Sequence, residues 1–150
     1  MPQSLPNLLY HFIWSTKNRD PFINEQVEPK LHAYMAGICA DLGGKPVLIG
    51  GMPDHVHVLT YLPPKVAVSD ALRDLKASSS KWVHQAFPHL AAFAWQAGYA
   101  AFSVSASKLI DVRDYVARQK DHHATASFQD EYRAFLRRHG MEWDERYAWD

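Results

Sequence analysis

Apolar positions along this chain follow two spacings, and the changes between them mark out its elements. Leu8 to Ser15 is rich in aromatic and branched residues and reads as a strand, closed by the polar turn Thr16-Lys17-Asn18-Arg19-Asp20-Pro21. Val27, Leu31, Tyr34, Met35, Ile38 and Leu42 then share one face at helical spacing, predicting a helix over 25–42 with Asn24 as its cap and Gly43-Gly44 as its stop. Lys45 to Gly50 and His55 to Leu62 read as a hairpin turning at Gly51-Met52-Pro53-Asp54, with Pro63-Pro64 ending its second strand. A second helix is expected over 68–87. Val68, Leu72, Leu75, Trp82, Val83 and Ala86 would face inward, and Arg73, Lys76, Ser80 and His84 would form a polar stripe. Trp95 to Ser105 reads as a fourth strand and Lys108 to about His122 as a third helix. Ser127 with Asp130 resembles a capping box for a last helix, whose apolar face is Phe128, Tyr132, Phe135 and Leu136 and whose end is Gly140.

The order strand, helix, strand, strand, helix, strand, then helices predicts an α+β fold of the ferredoxin-like or RRM-like kind. This is a split βαβ with an antiparallel sheet, helices on one face and further helices at the C-terminus. One domain over 1–150 is expected, with 128–150 as a helical extension. Many functions share this fold, so chemistry has to be read from the side chains.

Composition narrows the field only slightly. No run of apolar residues is long enough to span a bilayer, and the opening MPQSLPNLLYHFIW lacks the pattern of a signal peptide, so a cytoplasmic protein is expected. Cys39 is the single cysteine and is expected to be a buried thiol on a helix. Sixteen Lys and Arg balance sixteen Asp and Glu, with the acidic excess in residues 128–150. Such a balance does not by itself suggest a nucleic-acid partner.

The informative segment is Pro53-Asp54-His55-Val56-His57-Val58-Leu59. Strand alternation sends His55 and His57 to one face, where two imidazoles can meet one cation, and Val56 and Val58 to the other. On the third helix Tyr115 and Gln119 are four residues apart and are expected to stack on one face. A phenol can attack phosphorus if a neighbour assists its deprotonation and a metal draws charge off the phosphate. The amide oxygen of Gln119 would complete a site with His55 and His57, suited to Mg²⁺ or Mn²⁺ with zinc as a competitor. His122 is a rival third ligand, while His123 is expected to point elsewhere. Read from the residues alone, a solvated histidine pair and a core-edge tyrosine fit as well.

The sequence resembles the single-tyrosine HUH transposases of bacterial insertion sequences (the insertion-sequence two-hundred group) and their relatives, the REP-associated tyrosine transposases. The matching elements run in family order: Tyr10 to Lys17, then Pro53 to Leu59, then Leu75-Lys76-Ala77-Ser78-Ser79-Ser80, then Trp95-Gln96-Ala97-Gly98-Tyr99, then Tyr115 with Gln119. The tail from Phe128 to Trp149 resembles one branch of the group.

The resemblance implies a metal-dependent single-strand DNA endonuclease and strand transferase. Tyr115 would form a 5′-phosphotyrosine, and His55, His57 and Gln119 would hold Mg²⁺ or Mn²⁺. It also implies single-stranded DNA with hairpin ends as partner, gripped through its backbone by Lys17, Arg19, Arg73, Lys76, Ser78, Ser80 and Lys81. Trp95 and Tyr99 could stack on bases but are expected in the core. A homodimer with shared active sites is expected, paired along an open sheet edge, with Ser103 to Ser107 as a connection to the catalytic helix. The alternatives are a domesticated enzyme processing chromosomal palindromes, a hydrolytic metal nuclease, and a non-catalytic nucleic-acid-binding module.

Overall fold

A computed structural model describes residues 2–150. Its strands are β1 (Leu9–Ser15), β2 (Lys45–Met52), β3 (His55–Tyr61) and β4 (Ala100–Val104). Its α-helices are α1 (Glu28–Asp41), α2 (Val68–Ala86), α3 (Leu109–Ala117), the one-turn α4 (Gln119–His122) and α5 (Phe128–Arg138). The strands form one antiparallel sheet in the order β2-β3-β1-β4, the ferredoxin-like arrangement expected from the element order.

Register decides which side chains share a face. Ile13 pairs with His57 and Ser15 with His55, so the two histidines lie on the same face as Ile13 and, across β4, Phe102. The opposite face carries Phe12, Trp14, Val56 and Val58. These pack on Leu31, Met35 and Cys39 of α1 and on Leu72, Leu75 and Val83 of α2. The histidine face has its own core, in which Ile13, Ala100 and Phe102 meet Phe128, Tyr132, Phe135 and Leu136 of α5. The C-terminal helix therefore covers the second face of the sheet, directly over β1 and β3.

Local details depart from the sequence pattern for identifiable reasons. β4 starts at Ala100, not Trp95: Trp95 makes a single bridge to Thr16 and donates its indole N–H to the Ser79 hydroxyl at 2.9 Å. Gln96 accepts the Ser15 backbone N–H at 2.8 Å through its side chain, replacing a ladder partner at the end of β1. β2 runs on to Met52, so the hairpin turns tightly on Pro53 and Asp54. The expected third helix breaks at Arg118 (φ −102°, ψ 24°), whose N–H is shared between the carbonyls of Asp114 and Tyr115, and restarts at Gln119. The Ser127 cap is present, its hydroxyl accepting the Asp130 N–H at 3.2 Å.

Gly50 sets how closely the tyrosine helix approaches the sheet. A Cβ there would stand 2.4 Å from the Val116 carbonyl oxygen, beside Tyr115 in sequence. Gly50→Ala must push the end of α3 outward, and overpacking of this kind costs about 1–3 kcal/mol. We expect a lower denaturation midpoint, and an unchanged midpoint would mean that α3 does not rest on Gly50.

Candidate functional site

The site is built from three chain segments over the histidine face. β3 supplies His55 and His57, both fully buried, because alternation turns Val56 and Val58 into the opposite core. The break after α3 supplies Tyr115 on one side and Gln119 on the other. α5 supplies Glu131, a buried acid within the helix's apolar stripe.

Glu131 is where these segments meet. Its Oε2 accepts the Tyr115 hydroxyl in a short hydrogen bond and the Gln119 amide N–H at 3.0 Å. Its Oε1 lies 3.0 Å from His57 Nε2, 3.4 Å from His55 Nε2 and 3.1 Å from His123 Nε2. Burial alone would raise its pKa. Hydrogen bonds from His123, His55 and His57 outweigh that and hold the carboxyl far below the usual carboxylate range.

Each imidazole is fixed from behind. His55 Nδ1 donates to Asp54 Oδ1 at 2.7 Å and its Nε2 to Gln119 Oε1 at 2.9 Å. Burial lowers its pKa, but the acceptors Asp54, Glu131 and Gln119 more than offset this and raise it to about 9. His57 Nδ1 instead faces the buried His11 Nε2 at 2.7 Å. With a neutral partner there, burial prevails over the attraction of Glu131 and its pKa is lowered. Tyr115 is pushed well above the usual phenol value, first by burial and then by the Glu131 carboxylate. The phenol is therefore held protonated, with a carboxylate oxygen against its hydroxyl.

The donor set suits a divalent cation. Ligand atoms of His55, His57 and Glu131 lie within 4.8 Å of one another, and all three residues are buried. Gln119 Oε1 adds a neutral oxygen beside His55. Two nitrogens with hard oxygens fit Mg²⁺ or Mn²⁺ and also zinc.

The structure thus brings His55, His57, Gln119 and Tyr115 together, across a helix break rather than along one helical face. It reverses the expectation for the neighbouring histidines. His123 lies at the cluster, its ring 4.5 Å from that of His55, whereas His122 is exposed and its ring rests on Tyr115 at 4.4 Å. The break at Arg118 restarts the helical phase and exchanges their directions.

Glu131 and His11 were not singled out in the sequence. Glu131 sits between Phe128 and Phe135 at helical spacing, and an acid inside an apolar stripe was the available signal. His11 shares its strand face with Ile13 and Ser15, but only the register shows that it reaches His57.

The residues assigned to DNA lie elsewhere. Arg73, Lys76, Ser78, Ser80 and Lys81 are on α2, across the sheet from Tyr115. Arg73 is paired with Asp70 at 3.1 Å and Asp74 at 3.5 Å. Lys76 Nζ donates to the Ala97 and Gly98 carbonyls, each at 2.9 Å, and burial lowers its pKa to about 8. Lys17 is exposed after β1, while Arg19 is half-buried at φ 57°. Trp95 is in the core, and Tyr99 is exposed.

Comparison with known proteins follows the same lines. The family model described as IS200-like transposase matches residues 4–119, ending at Gln119 and leaving α5 outside. The ISDra2 transposase TnpA of Deinococcus radiodurans is 29% identical over 119 residues, covering 76% of this chain and 85% of the relative. A crystal structure from the same species, of a protein assigned as a transposase, superposes with a TM-score of 0.64 at 27% identity, covering 79% of this chain and 96% of that one. A REP-associated tyrosine transposase bound to a REP hairpin gives a TM-score of 0.60 at 16% identity, covering 84% and 76%. The last of these speaks for the fold alone.

Proposed function

This chain belongs to the IS200-like transposase family, and on that premise we propose that it cuts and rejoins single-stranded DNA at hairpin-bearing ends through a 5′-phosphotyrosine on Tyr115. His55, His57 and Gln119 hold a divalent ion, Mg²⁺ or Mn²⁺, and Glu131 joins them as an oxygen donor. The observation that carries this reading is the convergence of the Tyr115 hydroxyl and both imidazoles on the single carboxylate of Glu131.

In the cutting step the Tyr115 oxygen bonds to phosphorus as the P–O3′ bond breaks. Glu131 Oε2 orients the Tyr115 hydroxyl, but its depressed pKa makes it a poor base. The hydroxyl proton therefore passes to water as the bond to phosphorus forms, and the released 3′ oxygen takes a proton from water. The ion, when bound, draws charge from the phosphate being attacked. The phosphotyrosine keeps the energy of the phosphodiester, so a second 3′-hydroxyl can displace Tyr115 and rejoin strands without ATP. Arg19, Lys17 and the α2 residues Arg73, Lys76, Ser78, Ser80 and Lys81 remain assigned to the DNA backbone. Because α2 lies across the sheet from Tyr115, a strand using both must pass around the sheet.

The direct test is incubation with single-stranded DNA from the gene's own flanks and Mg²⁺. A protein–DNA adduct surviving denaturation is expected. Cut strands free of protein would instead identify a hydrolytic nuclease, and binding without cutting a non-catalytic module.

The homodimer remains part of the proposal, but one chain here supplies Tyr115, His55, His57, Gln119 and Glu131. We therefore expect each subunit to use its own tyrosine. Exchanging Tyr115→Phe with His57→Ala subunits should leave the mixed dimers inactive, and recovery of cleavage would establish shared sites.

A further inference from the structure

Beside Tyr115, between β4, α3 and α5, lies a cavity of about 650 Å³. Tyr115 and His11 line it, whereas His55, His57, Gln119 and Glu131 do not, so these two rings stand between the carboxylate–histidine cluster and this space. The cavity falls within the range of about 300–1,000 Å³ that holds small ligands.

Its chemistry is that of a nucleotide site. Phe102 and Val112 give an apolar wall. Phe102, Phe135 and His139 form a cluster of nearly parallel rings (Phe102–Phe135 5.6 Å, Phe102–His139 4.2 Å, Phe135–His139 6.3 Å between centroids), of which His139 is the exposed member. Flat rings of this kind accept a base with little regard to its identity. Lys108 and Arg138 provide positive charge. Lys108 is 3.7 Å from Asp111, which also lines the cavity, whereas Arg138 lies over the Phe135 ring at 5.5 Å. A guanidinium held on an aromatic face is well suited to a phosphodiester oxygen.

The position beside the nucleophile selects which nucleotide fits. Attacking and leaving oxygens lie roughly in line through phosphorus, so the departing nucleotide is on the far side of the phosphate from Tyr115. A cavity that Tyr115 itself lines is placed for the group that stays. We propose that it receives the nucleotide retained on Tyr115, with its base against the Phe102 and His139 rings and its 5′-phosphate, the one joined to Tyr115, held by Arg138 and Lys108. This rests on the phosphotyrosine reading, and no bond changes within the cavity itself.

The test uses the intact protein with Mg²⁺ and the four deoxynucleoside 5′-monophosphates, followed by amide chemical shifts around Val104 and Val112. At least one should bind saturably with a dissociation constant of about 1 mM or tighter. It should bind at least about fivefold better than its 3′-monophosphate isomer, and about fivefold more weakly to Arg138→Ala. Val112→Trp, which fills the cavity, should lose binding while its spectrum shows that it remains folded. If Val112→Trp does not fold, the Arg138→Ala and isomer comparisons still decide. No shift from any of the four at about 10 mM, equal binding to folded Val112→Trp or to Arg138→Ala, or preference for the 3′ isomer would overturn the assignment. An adduct on flanking DNA without mononucleotide binding removes the cavity's role alone. Mononucleotide binding without an adduct removes the phosphotyrosine reading and the retained-nucleotide role with it.

Discussion

Replacing Tyr115 by phenylalanine is expected to abolish covalent attachment to DNA while leaving the fold in place. The ring packs against Phe135 (centroids 5.3 Å apart) and His122, contacts that a phenylalanine keeps. Only the hydroxyl is lost, and its partner Glu131 retains Gln119 and three histidines around it. The stability change should therefore stay within about 1–2 kcal/mol. The rate of strand cutting should fall by about 10⁴-fold or more, since removal of a nucleophile leaves only binding and electrostatic assistance. Adduct formation by Tyr115→Phe at the wild-type rate would show that another residue attacks.

The second large effect is expected at the ligands. His57→Ala removes a buried nitrogen donor, and Glu131→Gln removes the negative charge common to the cluster while nearly conserving shape. Both should weaken Mn²⁺ binding by at least about 100-fold in calorimetry, beyond the 10–100-fold typical of residues that merely orient a ligand. Gln119→Ala should be milder, because water can replace a neutral amide oxygen. Cleavage should fall in parallel with affinity and stop in excess chelator. Wild-type Mn²⁺ affinity in His57→Ala would contradict the ligand assignment, and wild-type affinity in Glu131→Gln would remove the carboxylate from it.

Most of the framework could be read directly from the sequence, because period-two and helical spacings are local properties. Three of the four strands and both sheet-covering helices of the first core appear where the pattern put them, within a few residues. The fourth strand is present but starts five residues late, at Ala100 rather than Trp95. The same holds for the strand carrying His55 and His57, whose alternation fixes a common face whatever the surroundings. What escaped depends on tertiary geometry. The break at Arg118 has no glycine or proline to mark it, and it exchanged the directions of His122 and His123. Trp95 and Gln96 look like strand residues but serve as single partners to Ser79, Thr16 and Ser15. Glu131 is masked in the sequence by the apolar face of α5, within which it sits. Which sheet face that helix covers is fixed by long-range packing on Ile13 and Phe102.

On α2 the spacing shows a polar stripe, and the family resemblance makes Arg73 and Lys76 candidates for phosphate. In the structure Arg73 is matched by Asp70 and Asp74, and Lys76 ties α2 to the Ala97–Gly98 segment. Any phosphate contact by either has to displace a partner it already has.

A covalent bond from DNA to the Tyr115 oxygen can be observed directly. Wild-type protein incubated with Mg²⁺ and single-stranded DNA from its own flanks should be denatured, digested with nuclease and protease, and analysed by mass spectrometry. The expected result is a nucleotide remnant joined through its 5′-phosphate to the peptide containing Tyr115, and to no other peptide. Cut DNA bearing free 5′-phosphates with every peptide unmodified, or a remnant on a different tyrosine, would contradict it.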